Sequence, residues 1–118
     1  MPKRILIAED DVLTREMLTT FAEMRGYDVV AVSDGIDLLN LAEDEKFDLI
    51  ITDLMMANLS GASASEMLKS QGDTTPVIAL TALTPQDVRL IQEDFVKIYF
   101  KPCDFGELFE HVESLIGK

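Results

Sequence analysis

Five short apolar runs punctuate the chain: Arg4–Ala8, Asp28–Val32, Asp48–Thr52, Pro76–Leu80 and Val96–Phe100. Each is rich in Ile, Val, Leu or Phe, and the first, third and fourth are nearly unbroken. Continuous runs of this length are the pattern of strands covered on both faces. Between them the apolar spacing changes to steps of three and four. Val12, Leu13, Met17, Leu18, Phe21 and Met24 mark a helix over Val12–Arg25, and Gly26 stands where a helix stop favours glycine. Gly35–Glu45 and Gly61–Ser70 predict two more helices. Thr84, Pro85 and Asp87 form a capping box that opens a fourth, and Asp104–Glu107 opens a fifth with Leu108, Val112, Leu115 and Ile116 as its stripe. Strand and helix thus alternate five times, which predicts a parallel sheet with helices on both faces. Right-handed crossovers limit such a chain to a few doubly wound orders. In these sheets ligands bind beyond the carboxyl ends of the strands.

Composition adds little to the fold but narrows the function. A chain of 118 residues fits one domain. No apolar run approaches the roughly 20 residues that span a bilayer. The basic, then apolar start breaks off at Glu9, too early for a signal peptide, so a cytoplasmic protein without membrane contact is expected. Cys103 is the single cysteine, which excludes an internal disulfide and a cysteine-based zinc site. The net charge of −12 argues against direct nucleic-acid binding and suits a cationic or divalent-metal partner.

The chemistry sits where the predicted strands end. The first run ends in Glu9, Asp10 and Asp11, the third in Asp53, the fourth in Thr81 and Ala82, and the fifth in Lys101 and Pro102. Converging carboxylates repel one another unless a cation is present, and an all-oxygen set suits a hard divalent ion such as Mg²⁺. Asp11 reads as a helix cap. A carboxylate beside a metal can attack phosphorus and form an aspartyl phosphate. Such transfer needs alignment and charge neutralisation more than acid–base chemistry. Lys101 can supply charge and Thr81 a hydroxyl. Pro102 biases Lys101 toward an extended backbone, and a cis Lys101–Pro102 bond is expected.

Four segments together carry a family resemblance: Glu9-Asp10, Phe47–Asp53, Pro76–Ala82 and Lys101-Pro102. In order and spacing they resemble the receiver domains of two-component response regulators, and the likeness covers the whole chain, residues 1–118, as a single domain. The resemblance implies a flavodoxin-like sheet of order 2-1-3-4-5 with five helices. It implies Asp53 as phosphoacceptor, Thr81 and Lys101 as the residues that engage the phosphoryl group, and Mg²⁺ (or Mn²⁺) held by Glu9, Asp10, Asp53 and the backbone carbonyl of Met55. It also implies a histidine kinase or phosphotransfer protein as donor and an unidentified downstream protein as partner. The output surface would be the fourth helix, fifth strand and fifth helix.

The sequence departs from the family pattern away from these residues. Ala57 replaces a common proline, implying a looser loop, while Gly61 matches the glycine that comes after that loop. Ile98 stands where an aromatic is usual, with Tyr99 one position later on the opposite face. Met55 has no group to orient water, which implies slow self-hydrolysis. The alternatives are a degenerate receiver that signals by binding alone, and an enzyme. A haloacid-type phosphatase needs an aspartate where Met55 stands, and nucleotide-binding glycine motifs are missing. His111, the single histidine, reads as a partly exposed helix residue. No enzymatic activity beyond the domain's own phosphoryl transfer is therefore expected.

Overall fold

A computed structural model describes residues 2–118; Met1, which the expected domain includes, lies outside the described residues. The elements run in the order β1 (Arg4–Ala8), α1 (Val12–Met24), β2 (Asp28–Val32), α2 (Gly35–Asp44), β3 (Leu49–Asp53), α3 (Gly61–Ser70), β4 (Val77–Thr81), a 3₁₀ turn (Gln92–Asp94), β5 (Lys97–Phe100) and α4 (Phe105–Ile116). All strands are parallel, in the order β2-β1-β3-β4-β5. Every residue of β3 and β4 is buried, as their unbroken apolar runs require.

The two-residue period of the strands sorts the core into two layers. Leu6, Ile50 and Ala79 face α2 and α3, where Leu38, Leu39, Ala64 and Leu68 meet them. Ile5, Ile7, Ile51 and Leu80 face α1 and α4, where Leu18, Ala22, Leu108 and Phe109 meet them. Each α-helix begins at a side-chain cap: Asp11 accepts from Thr14 N–H, Asp34 from Asp37, Ser60 from Ser63, and Asp104 from Gly106 and Glu107.

The fold class is the expected one, but among the described residues the α-helices number four rather than the expected five. The capping box does form: Thr84 N–H donates to Asp87 Oδ2 at 2.9 Å, and Asp87 N–H to Thr84 Oγ1 at 3.2 Å. Beyond the box the chain makes a series of three-residue turns, with Asp87, Ile91 and Asp94 N–H each donating to the carbonyl three residues back. Residues 82–96 must bury Val88 and Phe95 and still reach the start of β5. Three-residue turns rise about 2.0 Å per residue against 1.5 Å in an α-helix, and they align side chains at i and i+3, here Val88 and Ile91. Leu90 is left 90% exposed.

Candidate metal and phosphoryl site

β1, β3, β4 and β5 deliver the chemically active side chains to one edge of the sheet. Glu9 and Asp10 come directly after β1, Asp53 ends β3, Thr81 ends β4, and Lys101 comes directly after β5. Glu9, Asp53 and Thr81 are buried, whereas Asp10 is exposed. One carboxylate oxygen from each of Glu9, Asp10 and Asp53 lies within 4.8 Å of the other two. This donor set, all oxygen and anionic, fits a hard divalent cation.

Lys101 sits between two of these acids. Its Nζ donates to Glu9 Oε1 and to Asp53 Oδ2, both at 2.7 Å. One ammonium thus links the residue that ends β3 to the residue that comes after β1. Asp53 Oδ1 accepts from Met55 N–H at 3.1 Å, and Glu9 Oε2 from Asp11 N–H at 3.1 Å. The Lys101–Pro102 peptide is cis, as expected. Thr81 Oγ1 accepts from Leu83 N–H at 3.1 Å, and a hydroxyl that accepts keeps its own proton to donate. Met55 is exposed beside Asp53.

Electrostatics reflect the crowding. Burial raises the Glu9 carboxyl to about 7 from its ordinary 4.5; the bonds from Lys101 and Asp11 pull it down, and the Asp53 charge pushes it up. Burial alone would lower the Lys101 ammonium, but its bonds to Asp53 and Glu9 outweigh burial and raise it above the ordinary lysine value. A carboxyl whose pKa rises on folding binds its proton more tightly in the folded state. Its contribution to stability is therefore full below pH 4.5 and is lost as pH rises through about 7. In the metal-free protein, Tm should fall between pH 5 and 8 relative to Glu9→Gln, measured by thermal melts in chelator. Parallel profiles for the two proteins would contradict this.

The loop that closes the site, residues 54–60, is anchored at several points. Leu54 is buried, and Asn58, at φ 70°, donates to Asp34 Oδ2 at 2.9 Å. Gly35 approaches so closely that an added Cβ would lie 1.9 Å from the Leu59 carbonyl oxygen. Despite Ala57, the loop is thus tied to the start of α2. Gly61 plays the matching part on the other side: a Cβ there would lie 2.0 Å from the Asp53 carbonyl oxygen and 2.7 Å from Thr52 Oγ1. Thr52 Oγ1 itself donates to that carbonyl at 2.8 Å.

Other singled-out residues fall outside the site or at its margin. Asp11 caps α1. Ile98 and Tyr99 pack in opposite layers, and Tyr99 Oη lies 3.2 Å from His111 Nδ1. Cys103 is half-buried, and burial raises its thiol. Sequence reading missed Arg15, whose Nη1 donates to the Glu9 carbonyl at 2.8 Å. The one available signal was its position four residues after Asp11, a lone cation just past three acids.

Comparison with known proteins agrees with this geometry. A family model described as the response regulator receiver domain matches residues 5–113. The response regulator MprA of Mycobacterium sp. strain KMS is 38% identical over 120 residues, covering 100% of this chain and 52% of the relative, so the chain spans about half the length of such curated relatives. The receiver domain of the Francisella response regulator 1452 superposes with a TM-score of 0.91 at 30% identity, covering 97% of this chain and 96% of that one. The receiver domain of the sensor histidine kinase PA1611 of Pseudomonas aeruginosa has a magnesium ion coordinated in its active-site cleft; it superposes at 0.89 with 29% identity, covering 100% of both chains. The strand order, the acidic edge and the match over residues 5–113 lead to one conclusion: the chain belongs to the response regulator receiver domain family.

Proposed function

We propose that this domain is a phosphorylation switch in which Asp53 accepts a phosphoryl group from a phosphohistidine of a histidine kinase or phosphotransfer protein. The observation that carries this reading is the placement of Asp53, with its Oδ2 2.7 Å from the Lys101 ammonium and its carboxylate within 4.8 Å of the Glu9 and Asp10 oxygens. Glu9, Asp10, Asp53 and the Met55 carbonyl would hold Mg²⁺, for which Mn²⁺ can substitute; when bound, the ion supplies positive charge to the phosphoryl oxygens. The magnesium in the Pseudomonas neighbour supports that assignment.

An Asp53 carboxylate oxygen attacks phosphorus, the P–N bond to the donor imidazole breaks, and the imidazole leaves. Lys101 moves from Asp53 Oδ2 onto a phosphoryl oxygen, and the Thr81 hydroxyl donates to another. Turning toward that oxygen draws Thr81 away from Leu83 N–H, its present partner at 3.1 Å. The turns of residues 84–95, with exposed Leu90, are released in turn, and affinity for a downstream protein changes. The chain acts on its own side chain and turns over no separate substrate. Metal dependence is the test: a small-molecule phosphodonor with Mg²⁺ should add one phosphoryl mass to the wild type, and none in chelator or in Asp10→Asn. An adduct that survives both changes would sink the reading.

A protein donor would dock on the exposed apolar face of α1. Val12, Leu13 and Met17 are 56%, 65% and 44% exposed on α1. Nearby, a 490 Å³ cavity lies between Met17, Phe21, Lys101, Cys103 and Phe105. An apolar patch that extends to Lys101 suits docking of a protein donor and is irrelevant to a small one. Leu13→Asp should slow phosphoryl transfer from a protein donor by roughly tenfold or more and leave the small-molecule reaction unchanged. Equal slowing of both would contradict a docking role.

A further inference from the structure

Arg15 lies on α1, one turn beyond the acidic pair, and plays no part in the chemistry assigned so far. Its side chain reaches back to the turn that carries the acids. Nη1 donates to the Glu9 carbonyl at 2.8 Å, and the Arg15 backbone N–H donates to the Asp11 carbonyl at 2.9 Å. One residue thus holds the carbonyls on both sides of Asp10. The rest of the turn is equally fixed: Glu9 N–H donates to the Val32 carbonyl at 3.0 Å, and Asp11 N–H to Glu9 Oε2 at 3.1 Å. Asp10 is exposed, so its backbone rather than packing aims its carboxylate.

We infer that Arg15 is a positioning residue for the divalent-metal site. By fixing the Glu9–Asp10 peptide it sets the spacing of the Glu9, Asp10 and Asp53 oxygens, which lie within 4.8 Å of one another. The inference rests on the metal-binding reading of this site. The bond from the guanidinium to the Glu9 carbonyl is partly buried, so without it that carbonyl loses its side-chain partner. The turn then relaxes, and the carboxylates lose their common focus.

Charge makes the opposite prediction. A guanidinium near a cation site repels the cation, so removing it should strengthen Mg²⁺ binding if electrostatics alone mattered. The sign of the effect therefore separates the two roles. The experiment is calorimetric titration with Mg²⁺ of wild type, Arg15→Met and Arg15→Lys at one ionic strength, with thermal melts in chelator to fix a temperature at which all are folded. Arg15→Met keeps the aliphatic stem and removes donors and charge. It should bind Mg²⁺ about tenfold or more weakly, and Arg15→Lys, which can still donate to the Glu9 carbonyl, should recover most of that loss. If Arg15→Met does not fold, Arg15→Ala takes its place with the same expectation. Binding by the neutral variant as tight as wild type, or tighter, overturns the inference and leaves the metal site standing. Absence of Mg²⁺ binding by the wild type overturns both.

Discussion

Lys101→Met is expected to destabilise the metal-free protein by about 3 kcal/mol at pH 8, because it leaves two buried carboxylates without their shared cation. Glu9 and Asp53 are 1% and 6% exposed, and each accepts from Lys101 at 2.7 Å. The lysine bond is what restrains the Glu9 carboxyl near 7 against burial, so its removal pushes that carboxyl higher. Protonation relieves the clash, so the deficit should shrink as pH falls and grow as pH rises. A divalent ion held by the same oxygens should relieve it too, giving the variant a larger gain in stability from Mg²⁺ than the wild type. Urea unfolding at pH 5 and pH 8, with and without Mg²⁺, checks all of this. Equal stability of variant and wild type at pH 8 in chelator would refute it.

Gly61→Ala should be as damaging through a different cause. Its Cβ would lie 2.0 Å from the Asp53 carbonyl oxygen and 3.0 Å from the Asp53 carbonyl carbon, both backbone atoms that cannot rotate aside. The end of β3 or the start of α3 must shift, and the Thr52 bond to the same carbonyl at 2.8 Å is lost with it. The expected cost is about 3 kcal/mol, equivalent to a fall in Tm of roughly 10–15 °C. Because the displaced residue is Asp53 itself, metal binding should weaken as well. Gly72→Ala is the control: its φ of +86° strains an alanine, but no atom lies within 4 Å. That substitution should cost only about 1 kcal/mol and leave the metal site untouched. Equal Tm values for the two variants would contradict the steric account.

The strands and the residues at their ends were legible in the sequence for a simple reason, whereas the strand order came only with the family resemblance. β3 and β4 are buried throughout, so their composition carries the signal undiluted, and the fold sends their ends to one edge. Asp53, Thr81 and Lys101 were therefore readable as strand-end residues. The predicted fourth helix failed because a capping box is a local device. Thr84 and Asp87 make its bonds, but the path of the chain after them is decided by where Val88 and Phe95 must be buried. The close approaches of Gly35 to Leu59 and of Gly61 to Asp53 depend on backbones meeting in space, which single-residue patterns do not encode. The Asn58–Asp34 bond and the Glu9–Lys101 bond join residues 24 and 92 positions apart, beyond the reach of any local motif.

The central claim is that Asp53 is the phosphoacceptor, and intact-mass measurement tests it most directly. Wild type and Asp53→Asn are incubated side by side with Mg²⁺ and a small-molecule phosphodonor. The account predicts a single phosphoryl adduct on the wild type and none on Asp53→Asn. An adduct on the variant, or none on a wild type shown separately to bind Mg²⁺, would contradict it.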